Sequence, residues 1–95
     1  MFKVNEYFDG RVKSIAFQAA DGPATIGVLA PGEYEFGTAD KERMEVLAGN
    51  LKALLPGSQV WKTYGPGQAF EIPANSKFKV AATGVCDYCC SYIKE

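Results

Sequence analysis

The sequence predicts an all-β fold, a small sandwich or barrel. Three observations carry this: evenly spaced turn signals, short segments that alternate apolar with polar residues, and a composition able to fill one core. Turn signals recur at Asp21-Gly22-Pro23, Pro31-Gly32, Gly49-Asn50, Pro56-Gly57, Gly65-Pro66-Gly67, Pro73-Ala74-Asn75 and Thr83-Gly84. Most gaps are roughly eight to ten residues, the rhythm of an all-β chain. Of 95 residues, 47% are apolar and 13% aromatic, which offsets chain entropy and excludes a disordered class. No linker, repeat or low-complexity tract interrupts the chain, so residues 1–95 are expected to form a single domain.

The segments between turns read as strands because they are short and rich in β-branched and aromatic residues. In order they are "RVKSIAF" (11–17), "TIGVL" (25–29), "EYEFGT" (33–38), "QAFEI" (68–72), "KFKVAA" (77–82) and "CDYCCSYI" (86–93). The long stretch "TADKERMEVLAGNLKALL" also admits a helix, since Met44, Leu47, Ala48, Leu51, Leu54 and Leu55 fall at helical spacing. Gly49 argues against it, because glycine in a helix interior costs about 1 kcal/mol. Gly-Asn is also a two-residue hairpin turn, so "MEVLA" and "LKALL" are expected to form a hairpin.

Ten basic and 11 acidic residues give a net charge of −1, which provides no electrostatic footprint for nucleic acid or an anionic membrane. Charges interrupt every short apolar run of "MFKVNEYFDGRVKSI", so neither a secretory signal nor a membrane span is expected there. All three cysteines, Cys86, Cys89 and Cys90, lie within one short stretch and cannot close useful disulfide loops. A reducing, cytoplasmic location is the expectation. Cys89 and Cys90 would point to opposite faces of a strand, which disfavours a zinc site. Structural, reduced thiols are expected instead.

Two spacings carry more specific information. "GQAFEIPANSKF" keeps the form G-x5-P-x-G-x2-H of a cupin barrel signature, with Asn75 at the second glycine and Phe78 at the metal-binding histidine. Upstream, G-x5-H-x-H-x3,4-E-x6-G is matched backwards from Gly49 to Glu42, Thr38 and Phe36. The acid is present and both imidazoles are absent. Period-2 alternation puts Tyr34, Phe36 and Thr38 on one face of their strand and Glu33 and Glu35 on the other. The expected architecture is therefore a cupin-type double-stranded β-helix, a jelly-roll barrel. With no histidine anywhere in the chain, histidine-type metal chemistry is excluded.

Taken together, "NEYFDGRVKSIAF", "GVLAPGEYEFGTADKERMEVLAG", "LLPG", Trp61 in "VWKTY", "GQAFEIPANSKF" and "YCCSY" resemble the small pyrimidine/purine nucleoside phosphorylases of cupin fold. The match runs from about residue 5 to residue 92. Cys90 falls where that family carries a cysteine, whereas Cys86 and Cys89 depart from its pattern. The resemblance implies phosphorolysis of purine and pyrimidine ribonucleosides to free base and ribose 1-phosphate. Inorganic phosphate would be the co-substrate, with no metal or other cofactor.

Cleavage of an N-glycosidic bond passes through a cationic sugar, so a catalyst gains from negative charge beside it in a water-poor cavity. Glu42 is the candidate for that charge and Thr38 for a hydroxyl contact to ribose or phosphate. Phe36 and Phe78, at former ligand positions, are candidates for the two faces between which a base stacks, an arrangement that tolerates any base because each has a π-face. Tyr34 is a candidate apolar wall with a polar tip, and Arg43 a candidate cation at the cavity mouth. Lys77 and Lys79 are expected to point outward. The alternative is a non-catalytic cupin that binds a small ligand or nucleoside. A homodimer is expected in either case, because one small barrel leaves sheet edges and apolar surface to cover.

Overall fold

The computed structural model describes residues 2–94, which form ten β-strands and no helix. These are β1 (Lys3–Tyr7), β2 (Val12–Ala19), β3 (Gly22–Leu29), β4 (Gly32–Gly37), β5 (Lys41–Ala48), β6 (Leu51–Leu54), β7 (Lys62–Tyr64), β8 (Ala69–Ile72), β9 (Lys77–Ala82) and β10 (Cys86–Ile93). With no helix among the described residues, none is long and apolar enough to cross a membrane.

The strands form two antiparallel sheets. The larger has the order β1-β2-β3-β10-β5-β8 and the smaller β4-β9-β6-β7. After the β1-β2-β3 meander, the chain moves to the small sheet at β4, back at β5, away at β6 and β7, back at β8, away at β9 and back at β10. That alternation winds the chain around one interior and is the expected jelly roll. The core between the sheets holds Val12, Leu29, Val46, Leu51, Ile72, Val80 and Cys86, all nearly inaccessible.

Local sequence explains the strands through parity. On β5, Glu42, Met44 and Val46 are buried while Arg43 is exposed, so "KERMEVLA" is a strand with one polar residue on its inner face. The helical spacing of Met44, Leu47 and Leu51 is incidental, because the inward residues repeat at two, not at 3.6.

The expected hairpin between "MEVLA" and "LKALL" does not form. Both segments are strands, but β5 pairs with β10 and β8, whereas β6 pairs with β9 and β7. Gly49, at φ 81, turns the chain from one sheet into the other. Burial decides this: Met44 and Val46 complete the inner face of one sheet, and Leu51 and Ala53 that of the other. A direct hairpin would put all of them in the same sheet.

Strands β1 and β7 lie outside the sequence expectation. Both are edge strands with mostly exposed residues, so no apolar period marks them. The four-residue connection from β1 to β2 is tight: Phe8, Asp9 and Gly10 all have positive φ, at 53, 56 and 85. A bulky residue in that region is strained by about 1–2 kcal/mol. The Phe8 ring is held by Tyr34 and Phe36, with centroids 5.0 and 5.6 Å away.

Candidate functional site

A cavity of about 310 Å³ lies between the sheets and opens to solvent. That is the lower end of the size range of small-molecule sites. Its two walls differ in chemistry. The small sheet contributes Phe36 and Phe78, with Glu35 and Gly37 beside them, and the large sheet contributes Ser14, Thr25, Glu42, Met44, Tyr88, Cys90 and Tyr92. The β1–β2 turn closes one side with Tyr7 and Phe8, both edge-on to Phe36.

Phe36 and Phe78 are direct cross-strand partners on β4 and β9. Their rings therefore stand side by side, 5.9 Å apart and tilted by 32°. They form one continuous aromatic wall on a single face of the sheet rather than two plates enclosing a planar group between them.

Glu42 is held inward by the parity of β5 and is only 9% exposed. Across the ladder it faces Tyr92, and Cys90 lies diagonally next to it, opposite Met44. From there the Cys90 thiol donates to Glu42 Oε1 at 3.3 Å. Burial pushes the Glu42 pKa above the ordinary carboxylate value, the Cys90 bond opposes this, and the Asp40 carboxylate adds to it. Cys90 is itself pushed well up, by burial and then by the Glu42 charge, so the thiol keeps its proton and remains a donor. A buried acid that lines a cavity and whose titration is shifted by burial is a candidate functional group.

Other expected site residues are placed elsewhere. The Thr38 hydroxyl donates to Pro73 O at 2.7 Å and accepts from Ser76 N at 2.9 Å. It ties the loop at 73–76 to the end of β4, and its one proton is already committed. Tyr34 is buried in the core on the same inner face as Phe36, with its hydroxyl donating to Ala30 O at 2.7 Å, so its polar tip is a fastening and not a cavity group. Arg43 alternates with Glu42 and Met44 and so projects from the outer face, where it pairs with Glu45 at 3.5 Å. It does not reach the cavity mouth. Lys77 is exposed and Lys79 half-buried, on the outward parity opposite to Phe78.

Thus three of the four signature positions, Phe36, Glu42 and Phe78, converge on the cavity. Asn75, at the signature's second glycine, has φ 54. Asparagine is the residue best able to replace glycine there.

The residues that sequence reasoning missed are Ser14, Thr25, Tyr88, Cys90 and Tyr92. A signal existed for some of them. Period 2 along "CDYCCSYI" puts Cys86, Tyr88, Cys90 and Tyr92 on one face, and that face proves to be the inner one. The three thiols are free. Among the described residues, no three His, Cys, Asp or Glu side chains come together as a metal-binding group.

Comparison with known proteins agrees with this architecture. A family model described as "Pyrimidine/purine nucleoside phosphorylase" matches residues 2–92. A protein of that name from Pseudomonas fluorescens is 60% identical over 92 residues, covering 97% of this chain and 98% of the relative. Among solved structures, a protein of unknown function from Vibrio parahaemolyticus superposes with a TM-score of 0.94 at 39% identity, covering 98% of this chain and 99% of that one. The EutQ protein of Clostridium difficile shares the fold alone, with a TM-score of 0.69 at 14% identity over 85% of this chain and 67% of that one. By the near full-length match to the family model and to the Pseudomonas fluorescens relative, the chain belongs to the pyrimidine/purine nucleoside phosphorylase family.

Proposed function

We propose that the protein is an enzyme that cleaves purine and pyrimidine ribonucleosides with phosphate, giving free base and ribose 1-phosphate. The observation that carries this reading is the buried Glu42 carboxyl in a cavity whose opposite wall is the Phe36–Phe78 pair. The base lies against the two rings, which distinguish poorly between purines and pyrimidines because stacking needs only a π-face. The ribose lies above Glu42. As the C1′–N bond breaks, its electron pair leaves with the base and positive charge spreads over the sugar. The carboxylate stabilises that charge in a site with little water to screen it. A phosphate oxygen then completes the C1′–O bond, and the proton of hydrogen phosphate ends on the base.

Turnover needs no resident metal, a reading supported by the absence of histidine from the chain. The protein works in the cytoplasm, where the free thiols of Cys86, Cys89 and Cys90 would stay reduced. It works as a homodimer. Support comes from the outer face of the large sheet, where Val4, Ile15 and Ile26 form one row across β1, β2 and β3 and are 65%, 45% and 45% exposed. Val28, on the next row, is 45% exposed. Such a contiguous apolar stripe on a small protein marks an interaction surface, and a two-fold pair is the commonest way to cover one.

The deciding experiment incubates the purified protein with uridine and with inosine, each with and without phosphate, and follows free base by chromatography. Phosphate-dependent release from both nucleosides is expected. Binding without release would make the protein a nucleoside-binding cupin instead.

A further inference from the structure

We propose that the phosphate co-substrate is held by neutral hydroxyls of the large sheet, those of Ser14, Thr25, Tyr88 and Tyr92, and not by a cationic side chain; this rests on the phosphorolysis reading. The register brings these groups together. Ser14 faces Gly27, Gly27 faces Tyr88, and Thr25 faces Cys90, which is two residues from both Tyr88 and Tyr92 on the same face of β10. Ser14 and Thr25 are 3% and 6% exposed, yet both line the cavity. Buried hydroxyls are costly unless they are used. Here their bonds are long: Asn5 Nδ2 donates to Ser14 Oγ at 3.4 Å, and Thr25 Oγ1 lies 3.4 Å from the Tyr92 hydroxyl. In its bond Ser14 accepts, so its own proton remains available.

Gly27 adds a second, independent observation. A Cβ at this position would lie 2.5 Å from the Tyr88 hydroxyl oxygen. The Tyr88 ring therefore lies across β3, over the gap that the glycine leaves, and carries its hydroxyl toward Ser14 on β2. Gly27 has no positive φ, so the glycine serves space and not backbone conformation.

Electrostatics leaves few other donors. No Lys or Arg lines the cavity among the described residues. Lys13 and Arg43 belong to the outer face and pair there with Glu6 and Glu45. Burial pushes the Tyr92 phenol up to about 12 and raises Tyr88 as well, so both keep their protons at neutral pH. The placement also suits the reaction. With the base on the small sheet and phosphate on the large one, the nucleophile approaches C1′ from the side opposite the leaving group.

The test varies phosphate and inosine independently in steady-state kinetics of the parent, Thr25→Val, Thr25→Ser and Tyr88→Phe. Loss of one hydrogen bond to a charged group should raise the KM for phosphate roughly tenfold or more in Thr25→Val and Tyr88→Phe. The KM for inosine should stay within about twofold, and Thr25→Ser should recover most of the loss. Calorimetric titration with inorganic phosphate gives a readout that needs no turnover: binding to the parent, weakened in the same two variants. Unchanged phosphate KM and binding in folded Thr25→Val and Tyr88→Phe would overturn the assignment. So would a rise in the inosine KM alone, which would give these hydroxyls to ribose. A parent that binds phosphate through these groups but releases no base would overturn the phosphorolysis reading and leave the anion site standing.

Discussion

Glu42 is subject to opposed demands. Its position on β5 removes it from water, which favours the neutral acid, while the Cys90 thiol donates to it and favours the carboxylate. If the carboxylate stabilises the cationic sugar, Glu42→Gln should lower kcat by about a hundredfold or more with a much smaller change in nucleoside KM, the pattern of an interaction made mainly in the transition state. Steady-state kinetics on the folded variant checks this, and parental rates would remove Glu42 from the mechanism. The stability effect has a definite sign. With the folded-state pKa above the unfolded one, the unfolded chain ionises first, so stability falls as pH rises from the ordinary glutamate value through the raised one. Glu42→Gln abolishes this titration. Its melting temperature relative to the parent should therefore increase across that window, as read by thermal melts at several pH values.

If Glu42 serves the proposed reaction, Cys90, bonded to it at 3.3 Å, would act through it as a positioning residue. Removing its hydrogen bond removes an influence that lowers the Glu42 pKa. The acid limb of the kcat/KM profile should then move to higher pH in Cys90→Ala, while the rate on the plateau changes by only about tenfold or less. An unmoved acid limb would show that the thiol does not tune the acid.

At the scale of the element, the β5–β6 connection decides whether the barrel closes. Gly49 has φ 81, and a Cβ there would lie 2.6 Å from Val85 O and 3.2 Å from Cys86 Cα. Both are backbone atoms and cannot yield cheaply. Gly49→Ala should cost at least about 2 kcal/mol, from left-handed strain and the clash together. Chemical denaturation measures this directly, and a change below about 0.5 kcal/mol would mean that the connection relaxes freely. Thr38 serves the same scale: by bonding Pro73 and Ser76 it anchors the loop that leads into β9 and hence Phe78. A residue chosen for its hydroxyl on the inner face thus supports the site indirectly.

For the whole molecule, the exposed row Val4–Ile15–Ile26 predicts self-association. Sedimentation velocity should find a dimer for the parent, and the double substitution Ile15→Glu with Ile26→Glu should shift it to a monomer by placing unpaired charge in the interface. A parent that sediments as a monomer at micromolar concentration would refute the homodimer. Extensive EDTA treatment should leave base release unchanged, whereas loss of activity restored by zinc or manganese would overturn the metal-free reading.

Sequence alone determined the strand-rich class, most strand positions and the inward parity of Phe36, Glu42 and Phe78. The class and the strand positions follow from period-2 alternation and turn spacing, which are local properties of the chain, and the inward placement of Glu42 and Phe78 from the two signature spacings. It also excluded histidine-bound metal by composition. Tertiary structure alone decided which strands pair. "MEVLA" and "LKALL" are adjacent in sequence yet enter different sheets, because each must complete a separate inner face. It likewise moved Tyr34 and Thr38 from substrate contact to fastening, since parity gives the side a residue faces but not which backbone carbonyl waits there. Arg43 was open to correction by parity, as the neighbour of an inward Glu42 on the same strand. The hydroxyl wall was the least legible part. Ser14 and Thr25 come from strands in the first third of the chain and Tyr88 and Tyr92 from the last, and they share a surface only because β10 pairs with β3. Non-local pairing of this kind leaves no periodic trace within any one segment.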